Sequence, residues 1–228
     1  MTPIRHPSPS FGDRRDGLKP SLIVLHYTAM DSASAALDRL CDPAIEVSAH
    51  YLIGGDGTIW QMVDEAKRAW HAGAGEWRGL EDINSRSIGI ELDNRGDHPF
   101  SEPQMAALED LLRDVMQRHR IGPAGVIGHS DMAPGRKHDP GPRFDWTRLA
   151  RQGLALRPAP ARDHAQNPAH TPDPAPFRAL ARAAGYTAPC SDADLLAAVR
   201  LRLRPHACGP LDDADMAALA GFGQAGRR

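Results

Sequence analysis

The stretch VSAHYLIGGDGTIWQMV, residues 47–63, carries the first decision about the fold. Two runs rich in strand formers, VSAHYLI (47–53) and TIWQMV (58–63), flank the turn residues Gly54-Gly55-Asp56-Gly57, so the segment reads as a hairpin. Upstream, LIVL (22–25) is a short continuous apolar run, the pattern of a strand buried on both faces. Between the two, Asp31 to Leu40 places Ala33, Ala36, Leu37 and Leu40 at helical spacing. Downstream, SIGIEL (87–92) is another strand. Ser101 and Gln104 then make a capping-box pattern ahead of the stripe Met105, Leu108, Leu111, Leu112, Val115 and Met116, a helix expected to stop near Gly122-Pro123. GVIG (125–128) is a last short strand. A hairpin gives antiparallel neighbours and strand–helix–strand crossovers give parallel ones. The expected class is therefore α/β, a mixed central β-sheet flanked by helices.

Beyond residue 156 the composition changes. RPAPARDHAQNPAHTPDPAP (157–176) holds six prolines and almost no large apolar side chains, which reads as a linker. In the tail, Leu195, Leu196, Val199 and Leu203 follow helical spacing, and Leu211, Met216 and Leu219 suggest another helix. The expected division is an α/β domain over 1–156, a proline-rich linker over 157–176, and a small α-helical C-terminal domain over 177–228. About 50 residues make a marginal core, so the tail is expected to pack on its neighbour.

Composition narrows the function classes. With 41% hydrophobic and 25% charged residues among 228, wholesale disorder is excluded. No apolar run approaches the roughly 20 residues of a membrane helix. A net charge of -2 argues against a dedicated nucleic-acid binder. Cys41, Cys190 and Cys208 are too few for a disulfide scaffold and read as reduced thiols. The N-terminus has no apolar signal region, which reads as cytoplasmic as written, or periplasmic or outer-membrane-anchored if it has been trimmed. A monomer is expected. Among 27 basic residues only Lys19, Lys67 and Lys137 are lysine.

Polar residues follow directly on strand signals at three places: His26 after LIVL, His129 after GVIG, and Lys137, His138 and Asp139 within GRKHDPGPRFDW (135–146). Ends of adjacent strands are where distant residues converge. Two histidines and a carboxylate are a sufficient ligand set for zinc with one position open. Taken singly, each histidine reads more simply as a satisfied core or surface residue, because no HExxH-type spacing joins them. In SIGIEL, alternation puts Ile88, Ile90 and Leu92 on one face and Ser87, Gly89 and Glu91 on the other. Glu91 then either faces a cleft or stands on the sheet's solvent side.

Trp70, His71 and Trp77 offer aromatic surface for a sugar or peptide, although core packing accounts for Trp70 equally well. His71 also suits a role behind a ligand. Asn84 could donate to a substrate carbonyl or simply serve a turn. His50 reads as a buried, hydrogen-bonded histidine and His138 as solvent-exposed.

The ordered segments PSPSFGDR (7–14), VLHYT (24–28), VSAHYLI (47–53), RAWHAG (68–73), EWRG (76–79), SIGIELDNRG (87–96), GHSD (128–131) and RKHDPGPRFDW (136–146) resemble the zinc-dependent N-acetylmuramoyl-L-alanine amidases of the AmpD/AmiD group. EWRG, DNRG and the tail are most similar to the AmiD branch. The resemblance implies an amidase/peptidoglycan-recognition-like fold and one Zn2+ held by His26, His129 and Asp139. It implies Glu91 as the proton-transferring base and Lys137 as the oxyanion stabiliser. The implied reaction is hydrolysis of the amide between N-acetylmuramic or 1,6-anhydro-N-acetylmuramic acid and L-alanine, in peptidoglycan or muropeptides. Tyr27, Trp70, His71, Trp77 and Asn84 become the expected substrate-binding residues. AGYTAP (184–189) and VRLRLRP (199–205) are similar to degenerate parts of a peptidoglycan-binding module.

Departures from relatives sharpen this. Ala49 and Asp139 stand where the phage-lysozyme and peptidoglycan-recognition branch often has tyrosine and cysteine, which leaves Glu91 as the base. Glu46 and Tyr27 stand where AmpD-type enzymes have arginine and asparagine, which favours a broader, AmiD-like specificity. The alternative class, a non-catalytic peptidoglycan-recognition module, would need neither Glu91 nor Lys137.

Overall fold

The computed structural model describes residues 2–156 and 172–226, so most of the expected proline linker lies outside the described residues. Eight strands are formed among them: β1 (Ile4–Arg5), β2 (Phe11–Asp13), β3 (Leu22–Tyr27), β4 (Tyr51–Ile53), β5 (Ile59–Gln61), β6 (Lys67–Ala69), β7 (Ser87–Leu92) and β8 (Val126–Gly128). Six build one sheet in the order β1-β5-β4-β7-β3-β8, and β2 pairs with β6 apart from it. The β4–β5 hairpin is antiparallel, whereas β3, β7, β8 and β4 run parallel to their neighbours across the centre. The sheet is mixed, as the hairpin and crossover signals require.

The strand expected over 47–53 begins only at Tyr51. Before it, Ser48 N bonds Trp70 O and His50 N bonds Gly89 O, so this backbone serves two different segments rather than one ladder. Helix α1 (Ala33–Leu40) is capped by the Ser32 hydroxyl, and a short α2 (Ile83–Arg86) precedes β7. Helix α3 spans Glu102–His119 and ends at Arg120 in the left-handed region, three residues before Pro123. Ser101 Oγ caps it by accepting from Gln104 N at 3.3 Å. The Gln104 side chain does not close the expected reciprocal box. It donates to Ile53 O at 2.9 Å and Asp93 O at 3.1 Å, tying α3 to the ends of β4 and β7.

Sheet alternation sorts the core into two faces. Ile23, Leu25, Ile88, Ile90 and Leu92 point to one side, where Leu108, Leu112 and Val115 of α3 cover them. Leu22, Val24 and Ile127 point to the other. That second face is covered by the tail: α6 (Pro174–Ala184), α7 (Asp192–Leu203) and α8 (Asp213–Ala225). Phe177, Leu195, Val199, Leu219 and Phe222 share one continuous apolar cluster with Leu22, Val24 and Ile127. Full burial of side chains of this size contributes about 1.5–3 kcal/mol each. The packing therefore couples the tail to the sheet strongly.

Helix α6 begins at Pro174, inside the stretch expected to be linker. Proline is well suited to a first helical turn, where its missing N–H has no intrahelical partner. Two further helices complete the frame, α4 (His129–Met132) and α5 (Trp146–Arg151).

Candidate active site

The parallel strands deliver the site. His26 is the fifth residue of β3, and its register partner on β7 is Glu91. Gly128 ends β8 and His129 opens α4 directly after it. The loop after α4 returns Asp139, whose carbonyl accepts from Ser130 N at 2.9 Å. Three atoms converge: His26 Nδ1 lies 2.9 Å from His129 Nδ1 and 2.8 Å from Asp139 Oδ2, and His129 Nδ1 lies 3.0 Å from the same oxygen. All three residues are buried.

Hydrogen bonds behind the histidines assign their tautomers. His129 Nε2 donates to Ala72 O at 2.9 Å, leaving Nδ1 as a bare lone pair in the neutral ring. For His26 the assignment runs through three residues. Ser87 Oγ donates to Ile83 O at 2.6 Å, so it accepts from His71 Nε2 at 3.1 Å. His71 Nδ1 then accepts from His26 Nε2 at 2.9 Å, which leaves His26 Nδ1 bare as well. Burial, and then His129, hold His26 down to about 4, so the neutral form is the one present near neutral pH. Two imidazole lone pairs and a carboxylate oxygen thus face one another with no hydrogen between them. Such a donor set fits a cation, and His26, His129 and Asp139 are a group able to hold a metal ion.

A cleft of about 380 Å3 opens over these atoms. Arg39 and Leu40 of α1 line one wall, Lys137 and His138 another, and Tyr27 and Trp70 also face it. Glu91 lies within it, with Oε2 buried and without a hydrogen-bond partner among the described residues. Burial, followed by the Asp139 carboxylate and opposed by Lys137, pushes Glu91 up to about 8. A carboxyl group poised there can exchange a proton near neutral pH. His138 is exposed at the rim, as its place between Lys137 and Asp139 suggested.

The expected substrate-binding residues separate. Tyr27, Trp70 and His71 line the cleft. Both ring nitrogens of His71 are engaged, so it supports His26 and has no free nitrogen for a substrate. Trp77 is a correction: it is 1% exposed and packs edge-on against Tyr186 at 5.1 Å, in the core under the C-terminal helices. Its aromatic surface suggested a place in a sugar- or peptide-binding groove, but the docked tail covers it. Asn84 is a second correction. Buried on α2, its Oδ1 accepts from His71 N at 3.1 Å and Ala72 N at 2.9 Å, so it shapes the protein's own backbone.

Three contributors carry no signal in the local sequence pattern: Ser87, Gly89 and Arg136. Ser87 and Gly89 share a face of β7 with Glu91, where Ser87 Oγ accepts from His71 and Gly89 leaves room for its ring. A Cβ on Gly89 would lie 2.4 Å from the His71 ring. Arg136 also faces the cleft and donates to Ala72 O at 2.7 Å, bracing the carbonyl that orients His129.

Buried acceptors converging at parallel strand ends, beside a proton-exchanging carboxyl and a lysine, define a hydrolase-type site. Residues 16–142 match the family model described as N-acetylmuramoyl-L-alanine amidase. The chain is 38% identical over 224 residues to N-acetylmuramoyl-L-alanine amidase AmiD of Escherichia coli, covering 87% of this chain and 80% of that one. It is 36% identical over 159 residues to 1,6-anhydro-N-acetylmuramyl-L-alanine amidase AmpD of Haemophilus influenzae, covering 62% of this chain and 86% of that one. Among solved structures it is similar to E. coli AmiD in complex with the substrate anhydro-N-acetylmuramic acid-L-Ala-D-gamma-Glu-L-Lys. The TM-score is 0.81 at 33% identity, over 94% of this chain and 97% of that one. The Pseudomonas aeruginosa AmpDh3 complex with anhydromuramic pentapeptide matches with a TM-score of 0.78 at 30% identity, over 95% of this chain and 94% of that one. The chain belongs to the N-acetylmuramoyl-L-alanine amidase family. Among the described residues, no helix is long and apolar enough to cross a membrane.

Proposed function

We propose that this amidase is zinc-dependent and hydrolyses the amide joining N-acetylmuramic or 1,6-anhydro-N-acetylmuramic acid to the L-alanine of a stem peptide. The observation that carries the reading is the convergence of three proton-free acceptors, His26 Nδ1, His129 Nδ1 and Asp139 Oδ2, beside Glu91. Two nitrogens and one oxygen with a fourth position open suit zinc. When bound, the ion supplies Lewis acidity at the scissile carbonyl and at the attacking water.

The chain's own groups do the rest. Glu91 takes the water's proton on its carboxylate and returns it to the leaving amine of L-alanine. Its lack of a fixed hydrogen-bond partner leaves that oxygen free for the transfer. Lys137, two residues before Asp139 in the cleft wall, offers its ammonium to the oxyanion that forms at the carbonyl. Of three lysines, Lys67 is paired with Asp13 at 2.6 Å, whereas Lys137 faces the cleft. Tyr27 and Trp70 supply surface for the muramoyl group or peptide.

Incubation with anhydro-muropeptide and with intact sacculus, products identified by mass, tests this reading. Release of stem peptide from either, lost with a chelator and restored by Zn2+, is expected. Failure of the zinc-loaded protein to cleave either substrate would overturn it.

A further inference from the structure

The C-terminal helices reach one of the site histidines through two buried polar side chains. Asp131, on α4, is 1% exposed and acts as a hub. Its Oδ2 accepts from Gly128 N at 2.8 Å, which closes the turn leading into His129. The same oxygen accepts from Arg202 Nη1 at 3.1 Å, and Oδ1 accepts from the Tyr186 hydroxyl at 2.8 Å. Arg202 stands on α7, and Tyr186 follows α6. The other end of the guanidinium, Nη2, donates to Val126 O at 3.2 Å. Arg202 therefore holds β8 at both ends, directly at Val126 and through Asp131 at Gly128.

The guanidinium is itself confined. It lies 3.4 Å from the centre of the Trp146 ring and 5.3 Å from that of Phe222. Arg202 is 3% exposed, and neither it nor Tyr186 lines the cleft. Apolar residues could serve the packing here equally well, since a buried ion pair often stabilises no more than its hydrophobic replacement. Directional bonds to Gly128 and Val126 do what apolar packing cannot: they set the angle at which the backbone leaves β8.

We infer that the C-terminal helices are a positioning element of the catalytic site. Arg202 and Tyr186, acting through Asp131, hold the β8–α4 turn so that His129 presents Nδ1 to His26 and Asp139. The inference rests on the reading of that triad as the zinc site.

The test uses the full chain with Tyr186→Phe, which removes one hydroxyl, and Arg202→Lys, which keeps the charge but loses the fork. Leu219→Ala is the control, loosening the same apolar cluster without touching Asp131. Three quantities are measured: amide exchange of residues 128–133 in metal-free protein, Zn2+ affinity by chelator competition below the unfolding range, and kcat and KM. For Tyr186→Phe and Arg202→Lys, exchange at 128–133 should accelerate. Zn2+ affinity should fall about tenfold, and kcat should fall with KM nearly unchanged. Leu219→Ala should lower Tm while keeping wild-type Zn2+ affinity.

Wild-type exchange at 128–133 and wild-type Zn2+ affinity in both positioning variants would overturn the inference. So would a loss of affinity in Leu219→Ala matching theirs at equal drops in Tm. If the wild-type protein binds no Zn2+, the metal-site reading fails, and the exchange measurement still decides whether Arg202 and Tyr186 hold the turn.

Discussion

His26 and Glu91 are register partners across the parallel strands β3 and β7, side by side at the carboxyl end of the sheet. An expected metal ligand and the expected base thus stand on adjacent rigid strands. Their spacing is set by the sheet ladder, and no loop has to close to bring them together.

This pairing makes Glu91 separable from metal binding. Glu91→Gln should keep Zn2+ at wild-type stoichiometry and lower kcat by about 10²–10⁴-fold, the usual contribution of a positioned acid–base group. Metal content by native mass spectrometry, together with stem-peptide release, checks both halves. Wild-type turnover would remove Glu91 from the mechanism.

Asp139→Ala should have the opposite signature. It removes the oxygen within 3.0 Å of both imidazole lone pairs, and the Zn2+ bound after dialysis should fall far below one ion per chain. Its circular dichroism should remain native, because Asp139 lies beside the cleft. Full occupancy by mass would rule out the ligand role.

Gly89→Ala tests the support behind His26. The new methyl would need the space of the His71 ring, 2.4 Å away, and β7 is too firmly paired on both sides to yield. His71 should be displaced, leaving His26 Nε2 without its partner. Zn2+ affinity should fall at least about tenfold. Isothermal titration against wild type reads the change, and an unchanged affinity would count against the relay through Ser87 and His71.

Acid should unfold the metal-free protein through its buried imidazoles. Burial holds His26 down to about 4, His50 down to about 3, and His71 well below its ordinary value. Unfolded, all three return to about 6.5. Through that window the unfolded chain binds more protons, so their stabilisation is lost as the pH falls from about 6.5 toward 4. Glu91 acts in the other direction. Burial pushes it up to about 8, so its native proton is released on unfolding above about pH 4.5, and its contribution falls as pH rises toward 8. Three imidazoles against one carboxyl leave a net uptake of about two protons on unfolding at pH 5.5. Calorimetry in buffers of different ionisation enthalpy measures that number, and zero uptake would mean the imidazoles are not held neutral.

Local pattern made much of this molecule legible. LIVL and SIGIEL could be recognised as central strands because burial on a pleated sheet writes itself into neighbouring residues. The hairpin at Gly54–Gly57 and the cap at Ser101 are equally local. His26, His129 and Asp139 stood out because each follows a strand end or a short motif, and the family resemblance joined them.

The remainder depends on which distant segments pack against one another. Trp77 looks like a groove aromatic until α6 and Tyr186 cover it, and Ser87 and Gly89 look like gaps until His71 fills them. Arg202 lies 71 residues from Asp131, and no periodicity along the chain encodes that bond. Alternation records which face of an element is buried, because burial repeats with the backbone period. It does not record what lies opposite, because that neighbour arrives from a distant part of the chain. The central strands, the sheet class and the metal-site candidates were therefore legible along the chain, whereas the short strands β1, β2 and β6 were not. The fold decided how those candidates are oriented, and that the tail helices help to hold one of them.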